Sequence, residues 1–221
     1  RLVDAASRFQ GKPSEKLLQA LALFEICNPS LAHQTLLEDS YTLALDNGWR
    51  VAPTATGGLE TATAPRTAIL AAALERGALL EAILQRRVYA TERPDTRLLF
   101  LVNGTLMGQT LRPPAANAKT AYELVVRATS AAAPFRVLEI VSDGGDVVHS
   151  APLDAQSIDY ATTLTSASAC WFYVRLTDAE GRRTGSAPVW TGRPPQGVAG
   201  MPPPASLRKL DKGKWKILGP E

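Results

Sequence analysis

FRVLEIVSDGGDVVHSA, residues 135–151, is typical of a β-hairpin. Its first arm is rich in β-branched and aromatic residues, which is typical of a strand. Asp143-Gly144-Gly145 then supplies a tight turn, because glycine readily adopts the positive φ angles that such turns require. The second arm, DVVHSA, resumes the strand pattern. The stretch therefore predicts two antiparallel strands joined at 143–145.

Strands of the same kind extend on both sides of this hairpin, from Pro94 to residue 192. WFYVRLTDAEGRRT contains a turn at Glu180-Gly181, and the remaining short runs are RLLFLVNG, TAYELVVRAT, SIDYATTLT and SAPVWTG. About seven short strands in roughly a hundred residues are typical of an immunoglobulin-like β-sandwich. We therefore assign residues 94–192 to an all-β, immunoglobulin-like domain.

Residues 1–93 show a different pattern, in which helical and strand-like segments alternate. LFEIC and WRVAPTAT are typical of strands, and LLEDSYTLALDNGWR predicts a helix that stops at Asn47-Gly48. TAILAAALERGALLEAILQRRVYAT predicts two helices hinged near Gly77, with Arg86 and Arg87 in the last turn of the second, where they suit the helix dipole. The alternation indicates an α/β layer, with the domain boundary near residue 93.

Residues 193–221 are rich first in proline and glycine and then in lysine. This composition predicts an extended tail that either packs across the surface or is disordered. Its lysines and Trp215 could bind an acidic surface, although a solvated tail with one anchoring tryptophan is the favoured interpretation.

The overall composition limits the possible functions. The chain has 221 residues, with 24 basic and 21 acidic side chains and a net charge of +3, too small to argue for nucleic-acid binding. Cys27 and Cys170 lie in separate apolar runs, which predicts two buried free thiols. No apolar stretch reaches the ~20 residues that a membrane span requires. The chain opens at Arg1 without a signal-peptide pattern, so we expect a fragment or a processed form, and both an exported and a cytoplasmic location remain open.

The familiar catalytic and nucleotide-binding motifs are missing from the sequence, since it contains no GxGxxG, GxxxxGK[ST], HExxH, GxSxG or CxxC. Its two histidines cannot build a metal site alone. His33 permits a ligand role in a loop at the end of a strand, but a solvent-facing histidine at a helix start is favoured. His149 is interpreted as a surface residue of the hairpin's second arm.

Two charged residues of the α/β layer are candidates for a binding site. Glu25 is a carboxylate inside the apolar strand LFEIC, so it should have a partner or a task, because an unpaired buried carboxylate is costly. The alternative is that Glu25 lies at the solvated end of the strand or in a salt bridge. Arg66 is predicted to precede a helix that starts at Thr67, where a guanidinium and backbone N–H groups could together hold an anionic oxygen. The alternative for Arg66 is a link between two loops.

Three stretches together resemble the PHP-type metallohydrolases, and within them the CehA/McbA-like branch. LFEICN is similar to a strand of that family. LALDNGWRVAPTAT with PRTAILA is similar to the strand and the helix start that flank its last metal-binding loop. LLEAILQRRVYATERPDTRLLFLVNGTLMGQTL carries the most specific likeness, to the helix and the strand that open the family's β-rich extension. The resemblance covers most of residues 15–192.

The resemblance implies a distorted α/β barrel that holds two or three divalent metal ions, Zn, Mn or Fe, and uses them to hydrolyse a phosphoester. It would make this chain the carboxyl-terminal part of the catalytic domain with its β-sandwich extension. We expect Arg66, Asn28 and Glu25 to bind a small-molecule or phosphoester substrate. We expect neither nucleic acid nor a membrane span among its partners.

The sequence departs from the family at the metal ligands. The segment from Thr56 to Ala64 contains GGLETAT where the family has an Asp-x-His loop, so no metal ligand can be transferred to this chain. Either the chain lacks segments of a longer protein, including a ligand loop between Gly58 and Leu59, or it is a relative that has lost its metal chemistry. We favour the first, a hydrolase, and retain the second, a non-catalytic binding or structural protein.

Overall fold

The computed structural model describes residues 12–27, 34–56, 64–115 and 118–192. The helices in these residues are Glu15–Ala20 (α1), Gln34–Asp46 (α2) and Arg76–Leu84 (α3). α1 begins after Ser14, whose hydroxyl accepts a hydrogen bond from the backbone N–H of Leu17 at 3.4 Å. α2 ends at the predicted Asn47-Gly48 stop, where Gly48 has a φ of 86°. None of the described helices is long and apolar enough to cross a membrane.

The strands of the amino-terminal part are Leu23–Cys27 (β1), Ala52–Ala55 (β2), Arg66–Ile69 (β3) and Val88–Thr91 (β4). β1 and β2 pair in parallel, from Leu23 opposite Ala52 to Cys27 opposite Ala55. This confirms the strands predicted in LFEIC and WRVAPTAT. A parallel pair requires a crossover connection, and α2 lies in the chain between the two strands.

The prediction of two helices in residues 67–91 is wrong. Residues 66–69 form β3, which pairs antiparallel with β4, from Arg66 opposite Thr91 to Ile69 opposite Val88. Gly77 is not a hinge but the second residue of α3, and Arg86 and Arg87 follow the helix, which ends at Leu84. The alanine-rich pattern favours a helix locally, but pairing with a strand some twenty residues away overrides that preference.

The remaining strands belong to the predicted all-β region, and they confirm its strand pattern. They are Arg97–Val102 (β5), Thr105–Leu106 (β6), Thr120–Thr129 (β7), Phe135–Ser142 (β8), Asp146–Ala155 (β9), Ser157–Ser166 (β10), Trp171–Asp178 (β11), Arg183–Ser186 (β12) and Val189–Trp190 (β13). β8 and β9 form the hairpin predicted around Asp143-Gly144-Gly145, which is a short 3₁₀ turn. β11 and β12 turn at Gly181, which has a φ of 77°.

Two antiparallel sheets organise these strands. One has the order β10-β7-β5-β6, and the other has the order β3-β4-β12-β11-β8-β9, with β13 also paired to β11. β4 and β12 pair from Thr91 opposite Thr184 to Tyr89 opposite Ser186, so the second sheet contains strands from both sides of residue 93. The two regions separated in the sequence analysis therefore share one hydrogen-bonded sheet.

β11 is buried on both faces and joins two hydrophobic cores. Phe172, Val174 and Leu176 pack into the core between the two antiparallel sheets. Trp171 and Tyr173 point the other way, into a second core with Tyr41, Ala44 and Leu45 of α2. The alternation of side chains along a strand is what allows one strand to serve both cores.

The described residues are thus mostly β, with two antiparallel sheets packed on a shared core, as expected of a β-sandwich. Among their named strands the only parallel pair is β1–β2, and they do not display the distorted α/β barrel that the resemblance implied.

Candidate functional site

The carboxyl ends of β1 and β2 bring together the first candidate site residues. The N–H of Thr56 donates a hydrogen bond to the carbonyl of Cys27 at 2.9 Å. Glu25, the predicted substrate-binding carboxylate, accepts a hydrogen bond from the hydroxyl of Thr56. Glu25 therefore has a polar partner on the neighbouring strand.

Cys27 ends β1 as a buried thiol that sits against a carboxylate. Its Sγ lies 3.8 Å from Oε1 of Glu92, to which it donates a weak hydrogen bond. Burial raises the pKa of Cys27 to about 12, and the negative charges of Glu92 and Glu25 act in the same direction. Because only a thiolate is an effective nucleophile, Cys27 is not poised for covalent catalysis.

A small cavity lies beside Cys27, between β1, β4 and the strands β11 and β12. It encloses about 30 Å³, which is room for a water molecule. Its lining includes four charged residues, Glu38, Glu92, Arg175 and Arg183.

Glu38 of α2 contacts both arginines of this set and also Tyr173. It accepts hydrogen bonds from the hydroxyl of Tyr173 at 2.8 Å, from Arg175 at 2.5 Å and from Arg183 at 3.3 Å. Arg175 also donates to Glu139 at 2.7 Å. Burial opposes the charge of Arg175, but its hydrogen bonds to Glu139 and Glu38 outweigh burial and raise its pKa. Arg175 therefore uses its charge to hold α2 on the sheet through two carboxylates. The sequence analysis did not predict this network.

Arg66 lies on β3 and not at a helix start, so the predicted anion site made of a guanidinium and helix N–H groups is wrong. Its guanidinium donates hydrogen bonds to the carbonyls of Ala64 at 3.0 Å and Pro65 at 3.1 Å. The next residue, Thr67, links β3 to β2, since its hydroxyl bonds both the N–H and the carbonyl of Ala55 at 3.0 Å. Arg66 also lines a wide groove at this edge of the sheet.

Some of the remaining predicted positions lie outside the described residues, and the structure places the others. Asn28, His33, the Gly58–Leu59 junction and the tail 193–221 lie outside the described residues. His149 is half-buried on β9, with Nε2 2.6 Å from the hydroxyl of Tyr160 on β10, so it ties the two sheets together. Cys27 and Cys170 are both buried free thiols, as predicted.

The described residues do not fit a metal centre. No group of three or more His, Cys, Asp or Glu side chains in the described ranges is arranged to hold a metal ion. Cys27 and Glu92 are adjacent, but the described residues add no third donor to this pair.

No protein-family model matches the chain, and no curated protein matches it.

Proposed function

We propose that this chain is part of a divalent-metal-dependent hydrolase of the PHP type, in its CehA/McbA-like branch, acting on a phosphoester. In this proposal the two antiparallel sheets form an immunoglobulin-like sandwich that flanks the active site. The proposal starts from the sequence resemblance in residues 79–111 and in the two stretches that precede them.

The observation that carries the proposal is the meeting of the carboxyl ends of β1 and β2. In α/β proteins, ligands bind outside the carboxyl ends of parallel strands, because the loops that follow neighbouring strands converge there. Glu25 and Thr56 meet at this end, and the hydrogen bond between Thr56 and Cys27 holds the strand ends together. β1 ends at Cys27 and β2 ends at Ala55, so the two strands finish at the same edge.

The metal donors of such an enzyme would have to come from residues other than the described ones, because the described ranges supply no donor group of sufficient size. The roles assigned to this chain are therefore limited to shape and binding. Glu25 and Thr56 set the spacing of the two strand ends, and Asn28 and Arg66 are proposed to contact the substrate.

The test uses the full-length protein that contains this chain, purified with zinc, manganese or iron. We expect bound metal by elemental analysis and hydrolysis of p-nitrophenyl phosphate. Glu25→Gln should reduce kcat at least about tenfold, since the strand ends would lose their charge-assisted hydrogen bond. Glu15→Gln, on the exposed first turn of α1, is the matched control and should leave kcat unchanged.

A metal-loaded protein that neither retains metal nor cleaves the aryl phosphate would overturn the proposal. The second candidate, a non-catalytic PHP-derived binding or structural protein, would then be preferred. The observation that favours this candidate is the GGLETAT segment, which has neither ligand of the family's Asp-x-His loop.

A further inference from the structure

A groove runs along the free edge where the two antiparallel sheets part. One wall is β3, the end strand of its sheet, and the other comes from β5, β7 and β10. Two neighbouring depressions of about 830 Å³ and 630 Å³ share a common lining and make up what we call the edge groove, lined by Ala68, Tyr89, Arg97, Thr129 and Ser157. Each of the two depressions taken alone falls in the size range of small-molecule sites.

Three arginines reach the edge groove from both of its walls. Arg66 comes from β3, whereas Arg97 and Arg127 come from β5 and β7. Arg97 is opposite Thr129 in the β5–β7 ladder, which makes Arg127 its diagonal neighbour on the same face, about 7–8 Å away. Arg97 and Arg127 thus stand on the outward face of their sheet, opposite the buried Leu98 and Ala128, and Arg97 shares the lining of the larger depression with Arg66 of the other sheet.

Two carboxylates, Asp95 and Asp159, lie among the three arginines, so the edge groove keeps one net positive charge. The carboxylate of Asp95 is occupied by the backbone N–H groups of Ala131 at 2.7 Å and Ala132 at 2.9 Å, and by the hydroxyl of Ser130 at 3.3 Å. Asp159 pairs with Arg127 at 3.2 Å, but the two side chains are 68% and 59% exposed, so water screens the pair.

Two polar groups in the edge groove lack partners among the described residues. The guanidinium of Arg97 makes no hydrogen bond or ion pair with them, although its charge acts on the nearby Tyr89. The hydroxyl of Thr96 is also unpartnered within the described ranges, and this residue is only 3% exposed. A buried hydroxyl without a partner is costly, and a bound ligand oxygen would remove that cost.

We propose that the edge groove binds a hydroxylated small molecule that carries one oxyanion, such as a sugar phosphate or a sugar acid. The oxyanion lies between Arg66 and Arg97, and the ligand's hydroxyls bond to Thr96 and to the hydroxyl-bearing residues Thr129, Ser130 and Ser157 along the wall. This binding site has Arg66 in common with the proposed hydrolase, but its other residues are not those of the strand ends, and binding requires no metal.

Isothermal titration calorimetry in a low-salt, phosphate-free buffer tests the proposal with glucose 6-phosphate, glucuronate and glucose as probes. At least one charged probe should bind saturably with a 1:1 stoichiometry and lose affinity as salt is added, whereas glucose should not bind. The two charged probes distinguish a phosphate from a carboxylate ligand. Failure of both charged probes to bind saturably would overturn the proposal.

Substitutions locate the binding. Arg97→Gln should weaken binding of the charged probe at least about tenfold, since it removes an exposed cation with no structural partner. Arg136→Gln is the matched control, because Arg136 is a similarly exposed arginine on β8 that pairs with Asp154 away from the edge groove. Equal affinities in the two variants would contradict the proposed site.

Thr96→Val separates binding from folding. Loss of the unpartnered hydroxyl should leave Tm equal or higher while binding weakens, a combination that a purely structural threonine would not produce. A Thr96→Val protein that binds the probe as tightly as the parent would exclude Thr96 and overturn the stated binding mode.

Discussion

The β-sandwich and the amino-terminal α/β layer bury their apolar side chains to very different extents. In the sandwich, Phe100, Leu124 and Ile140 have no exposed surface. In the layer, Leu74 is 93% exposed and Leu80 is 53% exposed. Long antiparallel ladders allow the sandwich to build its own core, whereas the described part of the layer is ordered mainly by docking onto the sandwich.

Among the described helices of the layer, only α2 docks deeply. α2 places Tyr41, Ala44 and Leu45 against Trp171 and Tyr173, whereas α3 has Ala82 as its buried residue. Stability in the described part of the layer should therefore depend on α2 and on the few polar links to the sandwich, and hardly on α3.

The largest expected effect comes from the shared strand β11. Phe172→Ala should lower the free energy of unfolding by about 3–5 kcal/mol, because it leaves a cavity between the two sheets. Leu80→Ala, on the exposed face of α3, should change it by less than about 0.5 kcal/mol. Urea denaturation measures both values. A loss of more than about 2 kcal/mol in the free energy of unfolding for Leu80→Ala would show that α3 is covered in solution. It would contradict the difference in burial between the two regions.

The second effect concerns one polar link between the two regions, the ion pair of Arg93 with Asp178. Nε of Arg93 donates to Asp178 at 2.6 Å, with the two side chains only 11% and 3% exposed. Arg93→Met should cost about 3 kcal/mol, because it leaves a buried carboxylate without its cation. Arg136→Met breaks the exposed pair with Asp154 and should cost less than about 1 kcal/mol. Equal costs in urea denaturation would mean that the Arg93 link adds no more than a surface pair.

The third effect is a pH dependence where α2 meets the 143–145 turn. Asp46 accepts hydrogen bonds from the N–H of Gly144 at 3.0 Å and from Trp171 at 3.0 Å. Burial raises the pKa of Asp46 from its ordinary 3.8 to about 7, against those hydrogen bonds and with help from the charges of Asp143 and Asp146. Burial also raises the pKa of Asp143 to about 6.

A carboxyl with a raised folded-state pKa binds its proton more tightly in the folded protein than in the unfolded chain. The free energy of unfolding should therefore fall as pH rises from about 4 through about 7, by an amount on the order of 2 kcal/mol. Asp46→Asn should flatten this slope in urea denaturation, and Asp154→Asn, at an exposed position, should not. An unchanged slope in Asp46→Asn would show that Asp46 titrates normally.

The smallest expected effect concerns the thiol at the end of β1. Cys27 should react slowly with a disulfide reagent at pH 8 in the folded protein and quickly in urea, because its pKa of about 12 leaves little thiolate. Glu92→Gln removes a negative charge beside Sγ and should speed labelling of Cys27 several-fold, as read by peptide mass spectrometry. Labelling of Cys170 in the same sample is the internal control. A rate unchanged by Glu92→Gln would indicate that burial alone limits the reaction.

Two outcomes show how far local sequence patterns reach. The 135–151 hairpin was predictable because β-branched residues and a glycine turn are properties of neighbouring residues. Arg86 was predicted to be helical but has a φ of 58°. Gly108 packs so closely against it that a Cβ added at residue 108 would lie 2.3 Å from the carbonyl oxygen of Arg86. The close approach of Gly108 involves a residue more than twenty positions away, so no local pattern contains it.

The candidate sites divide in the same way. Glu25 could be recognised from sequence, because a carboxylate in an apolar strand demands a partner, but Thr56 as that partner depends on how β1 pairs with β2. Arg97 and Arg127 carry no signal in the sequence, since arginines on outward strand positions are usually solvated. That Arg66 and Arg97 line one groove follows from the packing of the two sheets.

The sequence by itself determined the strands and turns of residues 94–192 and the strands β1 and β2, because periodicity and turn residues act within a few positions along the chain. Only the tertiary structure decided that residues 66–69 are a strand, that one sheet crosses residue 93 and that three arginines face one groove. Each of these depends on hydrogen bonds or packing between segments far apart in the chain, whose free energy outweighs local preference.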